Sequence, residues 1–348
     1  MLAIQRFIFD HPEDWREILT ETPYCLRIKE NDDLVIFNYS MYSSDFSLAL
    51  TKEARGLILE KNSWKVIRMA FYKFFNLGEP NAANIDWSSA TATSKEDGII
   101  VSLYYYNNKW NVASNSCINA AEAKTENICT KYSNFLEMFN EAAENSGLDY
   151  SRLDPRNTYT FELVSPYNRI VVKYAETKIF HILTRDNITL EEKEDNIGIE
   201  KPRFYAFNNK NDYLQLVKSL GNNNEGIVIK DVYNNRVKLK TEEYIRLHYM
   251  SGEMTLSLEN AVYIIWNHEQ NEYLQYFPEA KEVLDDIEKQ LNEAEEKIKN
   301  IVKDVNSRKW VNSKEVYDYY CQHDKQYVDL YVAEYNGYLD SNIRLLKN

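Results

Sequence analysis

The feature that most constrains the fold of this chain is a change in hydrophobic periodicity near residue 250. Before that point, apolar residues form short alternating or β-branched runs, with turn signals such as Asn107-Asn108 between them, and this pattern indicates strands. Beyond it, apolar residues from Ile287 to Val305 recur every three or four positions, which predicts a long amphipathic helix. Its heptad-like seam suits either packing within a small helical domain or dimerisation, and we expect the packing.

We therefore predict an α+β protein with two domains. The N-terminal domain, residues 1–250, consists mainly of antiparallel sheets with flanking helices, and an all-α domain covers residues 251–348. The predicted strands include residues 34–37, 56–59, 99–104, 159–164, 227–229 and 237–239, and helical stretches lie near 119–146 and 209–220.

Charge and aromatic content bear on the ligands. The net charge of −13 argues against a general nucleic-acid binder, because phosphate affinity comes from cationic surfaces. Residues 253–348 carry −8 of that charge, so a basic cleft can form in the first 252 residues. The 27 tyrosines suit base stacking, but tyrosines also fill amphipathic positions, and we favour the second interpretation.

Cysteine usage and hydropathy predict a cytoplasmic protein without membrane contact. None of the four cysteines has metal-ligand spacing, and a chain of 348 residues does not need disulfides. The sequence has no run of 18 apolar residues and no apolar signal core at its N-terminus.

The first chemical motif is Lys95-Glu96-Asp97-Gly98, directly before a predicted strand. The chain has no G-x-x-x-x-G-K-[ST] loop and no G-x-G-x-x-G turn, so any nucleotide is held in another way. Gly98 would let the backbone approach a phosphate or sugar. By itself the motif is weak, since a charged turn has the same pattern.

Three further elements follow in order. Glu162 stands inside an otherwise apolar strand, where an acid is uncommon unless it has a partner. Glu225-Gly226 opens another apolar strand. Lys238 and Lys240 alternate with apolar residues and so lie on one strand face, where they repel each other unless a polyanion lies between them. Alone, that last pattern is also typical of a solvated face.

Together, these elements resemble the ordered motifs of the covalent nucleotidyltransferases, and most closely the RNA ligase 1 family of T-even-type bacteriophages. Four more segments support the resemblance: Ala54-Arg55-Gly56-Leu57-Ile58-Leu59-Glu60, Lys73-Phe74-Phe75-Asn76-Leu77, Ser165-Pro166-Tyr167-Asn168-Arg169-Ile170-Val171, and Tyr244 after the lysine pair. The resemblance covers residues 35–250 and, more faintly, the helical tail.

The resemblance implies an ATP-dependent enzyme that joins RNA ends through a covalent AMP adduct on Lys95. Lys238 and Lys240 would bind phosphates and, together with burial, lower the pKa of Lys95 from about 10.4 toward about 7–8. Glu225 would help position the reactive groups and hydrated Mg²⁺, for which Mn²⁺ can substitute. The remaining implied contacts are Arg55 and Lys73 on ATP phosphates, Glu162 on the ribose hydroxyls, Phe37, Phe75 and Gly98 in the nucleotide pocket, and Glu272 on the metal.

The sequence departs from the family pattern at Asn115, where the family often has a basic residue. A phosphate contact is therefore in doubt there. The expected substrate is a nicked transfer RNA in the cytoplasm, the host's if the protein is viral, and no protein partner is implied. Two alternatives stay open: an RNA-capping or DNA-ligase-type enzyme, which would append an OB-fold, and a non-catalytic RNA-binding protein.

Overall fold

A computed structural model of the chain describes residues 1–40, 43–125, 131–207, 209–221, 223–244, 247, 256, 258–266, 270, 274 and 278–337. Its contacts divide the chain into two compact units, Met1–His248 and Tyr249–Asn348. The assignment of residues 1–250 and 251–348 to a catalytic and a substrate-selecting domain stays a prediction.

The described residues of the first unit form three sheets. In chain order the strands are β1 (Arg27–Glu30), β2 (Leu34–Asn38), β3 (Arg55–Glu60), β4 (Val66–Arg68), β5 (Phe75–Asn76), β6 (Thr91–Lys95), β7 (Ile99–Tyr106), β8 (Lys109–Ser114), β9 (Asn157–Val164), β10 (Lys178–Asp186), β11 (Glu192–Lys193), β12 (Phe204–Ala206), β13 (Gly226–Lys230) and β14 (Arg236–Lys240). The strand orders are β1-β2-β3-β4, β11-β10-β9-β7-β8 and β12-β6-β13-β14-β5. Neighbours pair antiparallel except β14 and β5, which confirms the predicted fold class.

Helices flank these sheets: α1 (Ala3–Asp10), α2 (Trp15–Thr20), α3 (Ala49–Glu53), α4 (Phe135–Asn145) and α5 (Lys210–Ser219), with short 3-10 turns at Ala120–Glu122 and Tyr150–Arg152. The helix predicted near 119–146 is therefore too long. Asn134 accepts a hydrogen bond from the Glu137 amide and so begins α4 there, while Asn119 caps only the short turn. Residues 126–130 lie outside the described part of the chain.

Packing of α4 on β9 decides which way the strand's polar residues point. The rings of Phe139 and Phe161 lie 6.0 Å apart in a buried core that also contains Leu163. Because side chains alternate along a strand, Glu162 projects from the opposite face of β9.

In the described residues of the second unit, the regular elements are helical: α6 (Leu258–Trp266), α7 (Lys281–Asn306), α8 (Ser313–His323), α9 (Val328–Tyr335) and 3-10 turns at Pro278–Ala280 and Lys325–Tyr327. The predicted amphipathic helix is α7. Its first half packs Leu284 against Ile264, and its second half packs Ile301 in a core with Tyr320 and Tyr331, whose rings stack at 3.6 Å. No helix in the described part of the chain combines the length and apolarity needed to cross a bilayer.

Candidate active site

One face of the β12-β6-β13-β14-β5 sheet carries the predicted reactive lysines. Lys95 at the end of β6 pairs with Gly226 of β13, and Gly226 pairs with Lys240 of β14. Two residues along, Val228 pairs with Lys238. Paired residues of adjacent antiparallel strands project from the same face, so all three ammonium groups lie on one side of this sheet.

This lysine face borders a cavity of about 460 Å³, which is within the usual range for a small-molecule site. Glu162 of β9 lies in its lining, as do Arg55, Lys95 and Val228. The cavity is therefore lined by residues from all three sheets, with the candidate nucleophile and the isolated strand carboxylate in one lining.

Glu225 joins two of the lysines. Its Oε2 lies 2.7 Å from Lys95 Nζ and its Oε1 lies 3.0 Å from Lys240 Nζ. The carboxylate is only 3% exposed, and the side chains of Lys95 and Lys240 are 23% and 17% exposed. One buried carboxylate thus holds both lysines in fixed positions.

The pKa of Lys95 does not move in the predicted direction. Burial lowers it, but the carboxylates of Glu225 and Glu162 and the hydrogen bond to Glu225 outweigh burial, and the pKa is raised above its usual value. The expected lowering of the Lys95 pKa by Lys238 and Lys240 is therefore wrong. The reason is that Glu225 lies closer to Lys95 than the sequence could indicate.

The lowered pKa values belong to two other lysines. Burial, with the charges of Lys73, Lys240 and Lys95, lowers the pKa of Lys238 to about 8. Burial and the Arg55 guanidinium lower the pKa of Lys73 to about 8. Repulsion among these cations would be reduced by an anion, and such a cluster of positive charge favours the binding of a polyphosphate.

Glu162 is also perturbed. Burial raises the pKa of its carboxyl group to about 7, with Lys95 acting against the shift and Glu225 and Asp97 adding to it. Its charge therefore changes near neutral pH, and a ligand hydroxyl or ammonium group would decide which form persists.

Asp97 is a residue whose role the sequence did not indicate. Its Oδ1 accepts a hydrogen bond from the Tyr244 hydroxyl at 2.6 Å, and its Oδ2 accepts from the amides of Val171 and Val172 at 2.8 and 2.7 Å. The carboxylate thus fixes the turn that follows Lys95. Its place inside the Lys95–Gly98 motif was visible, but its partners are distant in sequence.

Gly98 has a packing role that the sequence did not indicate. A Cβ at this position would collide with the carbonyl oxygen of Leu163 in β9. The residue therefore allows β7 to lie close to β9, and its approach to a nucleotide stays a prediction.

The remaining residues that the sequence assigned to ATP or metal contact lie in different surroundings. The Arg55 guanidinium lies over the Phe74 ring, 4.9 Å from its centroid, and lines the cavity. Phe75 packs against Phe46, with ring centroids 5.4 Å apart, and its ring centroid lies 5.1 Å from Lys73 Nζ. Phe37 is fully buried in the core against Trp15, outside the cavity lining, so direct contact with a nucleotide finds no support. Glu272 lies outside the described residues.

The fit of a metal ion depends on the same carboxylates. Among the described residues, no group of three His, Cys, Asp or Glu side chains could hold a metal ion. Glu225 already forms ion pairs with two lysines, Lys95 and Lys240. This donor set fits Mg²⁺ that arrives on ATP phosphates and keeps its waters, which Glu225 and Glu162 could contact, rather than a cage formed by the protein.

Comparison with known proteins adds a family context. The family model described as RNA ligase matches residues 53–244, more than half of the chain. A protein of Autographa californica nuclear polyhedrosis virus, named "Putative bifunctional polynucleotide kinase/RNA ligase", is 29% identical over 273 residues, which cover 72% of this chain and 38% of that protein. An RNA ligase of Rhodothermus phage RM378 is 28% identical over 205 residues, covering 51% of this chain and 46% of the relative.

The chain thus spans less than half the length of these two relatives. Among solved structures, an archaeal ATP-dependent RNA ligase aligns with a TM-score of 0.48 at 12% identity, over 86% of this chain and 82% of that one.

Proposed function

This chain belongs to the RNA ligase family, and on that premise we propose that it joins RNA ends in an ATP-dependent reaction through an AMP adduct on Lys95. The observation that carries the proposal is the Lys95–Glu225–Lys240 arrangement on one sheet face, beside a cavity that also contains Glu162. A non-catalytic RNA-binding protein would not need a buried carboxylate that holds two ammonium groups in place.

In the first step, Lys95 Nζ attacks the α-phosphorus of ATP. The P–N bond forms, the bond from phosphorus to the bridging oxygen breaks, and pyrophosphate leaves with the electron pair. The ammonium group gives up one proton before the attack and a second afterwards. Glu225 Oε2 lies 2.7 Å from Nζ, where it can accept these protons and pass them to solvent.

Entry of ATP changes the electrostatics of the lysine face. The polyphosphate offers counter-charge to Lys238, whose pKa burial and neighbouring cations lower, and to Lys240, which pairs with Glu225. Fixed cations beside the phosphorus stabilise the charge that develops there, and removal of one such donor commonly costs about 10²–10³ in rate. Mg²⁺ on the phosphates supplies further charge neutralisation when it is bound.

The next two steps use the same phosphorus chemistry. An oxygen of an RNA 5′-phosphate attacks the AMP phosphorus, and Lys95 leaves and regains its protons. An RNA 3′-hydroxyl then attacks the 5′-phosphorus of the adenylated RNA, the phosphodiester forms, its proton passes to solvent, and AMP leaves. In this scheme Arg55 and Lys73 contact phosphates, and Glu162 contacts the ribose hydroxyls.

For the natural substrate we infer a nicked transfer RNA in the cytoplasm, with the helical unit selecting its shape. The charge distribution supports this division of roles. The tail from residue 253 carries −8 of the total −13, so the main phosphate grip belongs to the first unit.

The proposal is tested by mass spectrometry of the intact chain after incubation with ATP and Mg²⁺, followed by joining of a 5′-phosphorylated RNA. We expect an increase of one AMP with ATP and none with Lys95→Ala. Lys178→Ala is a matched control, because Lys178 also forms a 2.8 Å ion pair with a glutamate but lies outside the cavity lining. An adduct with GTP alone would indicate a capping enzyme, and no adduct with either nucleotide would leave the binding protein as the better reading.

A further inference from the structure

An exposed phenylalanine lies at the edge of the lysine face. Phe204 of β12 pairs with Thr93 of β6. Thr93 pairs with Val228 of β13, and Val228 pairs with Lys238 of β14. Phe204 therefore projects from the same face as Lys95, and it belongs to the cavity lining. Yet 63% of its surface is exposed.

The strand does not need this aromatic ring for its own packing. The next residue, Tyr205, turns to the other face and packs with Tyr213 and Val217 in the core beneath the sheet. A phenylalanine left in water beside a cavity loses the free energy that burial would give, so its position suits a ligand that covers it.

The cavity lining that contains Phe204 also contains several cations, among them Lys201 and Lys230. Lys201 is three residues earlier in the chain, and Lys230 projects from the lysine face two residues along β13 from Val228. Their described acidic contacts are long: Nζ of Lys201 and of Lys230 lie 3.8 and 3.6 Å from Glu194, which is 87% exposed, and Lys230 Nζ also lies 4.0 Å from the buried Glu192. The exposed pairs with Glu194 contribute little and yield readily to a phosphate.

An exposed flat ring with lysines beside it is the combination that binds single-stranded nucleic acid, since the ring stacks on a base and the cations contact the backbone. We propose that Phe204 stacks on a nucleobase of the RNA end that is being joined, with Lys201 and Lys230 on the adjoining phosphates. This proposal rests on the proposed ligase function and names the part of the site that receives RNA.

Phe204 could stack on the adenine of ATP instead of on a base of RNA, and the burial of the surrounding residues distinguishes these two ligands. The groups assigned to ATP are enclosed: Glu162 and Glu225 are 8% and 3% exposed, and Lys95 is 23% exposed. Phe204 is far more exposed than any of them. It therefore lies where a strand can enter after AMP is already attached.

The experiment separates the ATP step from the RNA steps in the full chain. Adduct formation with ATP and Mg²⁺ alone is compared with kcat/KM for joining 5′-phosphorylated single-stranded RNA by the pre-adenylated enzyme. We expect Phe204→Ala to form the adduct within twofold of the wild-type rate but to join RNA about 10- to 100-fold less efficiently, the range for loss of one stacked base. Phe204→Trp keeps a stacking ring and should join normally. Phe9→Ala, which removes a 53% exposed phenylalanine of α1, is the matched control.

RNA that lacks one base identifies the stacked nucleotide. With an abasic residue at the 5′-phosphate end of one strand or at the 3′-hydroxyl end of the other, wild-type joining should fall as it does in Phe204→Ala. The variant should lose nothing further at that position, because the interaction is already absent. The proposal would be overturned if, at both RNA ends, the loss from the abasic residue multiplied the loss from Phe204→Ala. It would also be overturned if Phe204→Ala slowed adduct formation as much as it slowed joining. If the wild type forms no adduct or joins no RNA, the proposed function itself fails, which is a distinguishable result.

Discussion

Replacing Glu225 by glutamine tests the electrostatic core of the site. The carboxylate is 3% exposed and contacts Lys95 at 2.7 Å and Lys240 at 3.0 Å. Glutamine has nearly the same shape but no charge. In Glu225→Gln, two ammonium groups therefore share a largely buried site without their common counter-charge.

The expected cost follows from these distances. At 2.7 Å and an effective dielectric constant near 20, one such pair has a Coulomb energy of roughly 6 kcal/mol. Desolvation of the carboxylate offsets part of it, and breaking a buried pair from one side typically costs about 3–5 kcal/mol. We expect the free energy of unfolding at pH 7 to fall by about that amount, and adduct formation to fall about 10²–10³-fold.

Urea denaturation from pH 7 to pH 10 measures the first effect. In the wild type the pKa of Lys95 is raised, so its stabilising contribution is complete below its ordinary pKa and is lost only as pH rises through the higher folded value. In the variant, the ammonium groups repel each other, so the deficit should shrink as alkaline pH removes their charge. The control Glu200→Gln breaks an exposed pair with Lys178 and should cost less than about 1 kcal/mol. An unchanged free energy at pH 7, or a deficit that widens toward alkaline pH, would refute the reasoning.

Two further substitutions probe neighbouring features. Burial and adjacent cations lower the pKa of Lys238 to about 8, so its charge opposes folding below that pH. In urea denaturation at pH 7, Lys238→Met should therefore leave the free energy of unfolding unchanged or higher. Adduct formation should nevertheless fall about 10²–10³-fold. Gly98→Ala should lower the free energy of unfolding by about 1–3 kcal/mol, because the new Cβ meets the Leu163 carbonyl, whereas Gly221→Ala, with open space around it, should cost less than about 0.5 kcal/mol in the same measurement.

Local patterns were enough to predict much of the architecture. Alternation in β14 placed Lys238 and Lys240 on one face because strand periodicity is a property of adjacent residues. The period of three to four residues gave α7 for the same reason. The RNA ligase family followed from the order of short motifs, and the comparison confirms it.

What the sequence could not give depends on contacts between distant segments. The pKa of Lys95 rises because Glu225, 130 residues away, lies within hydrogen-bond distance. Phe37 is apolar in an apolar strand, and such a residue suits a core or a pocket wall equally well. The helix near 119–146 was overextended because propensity does not reveal which asparagine caps it.

The hydrogen bonds of the Asp97 carboxylate bear on why the Lys95–Gly98 motif has an aspartate at this position. One oxygen receives a hydroxyl from Tyr244, 147 residues later, and the other receives two amides at Val171 and Val172. Asparagine has a single acceptor oxygen, so it could accept from the two amides only if the Tyr244 hydroxyl reversed its role and accepted from the NH₂ group. The aspartate of Lys95-Glu96-Asp97-Gly98 is therefore matched to donors far outside the motif. The motif is contiguous in sequence, but the residue at this position makes its contacts with segments that are distant in the chain.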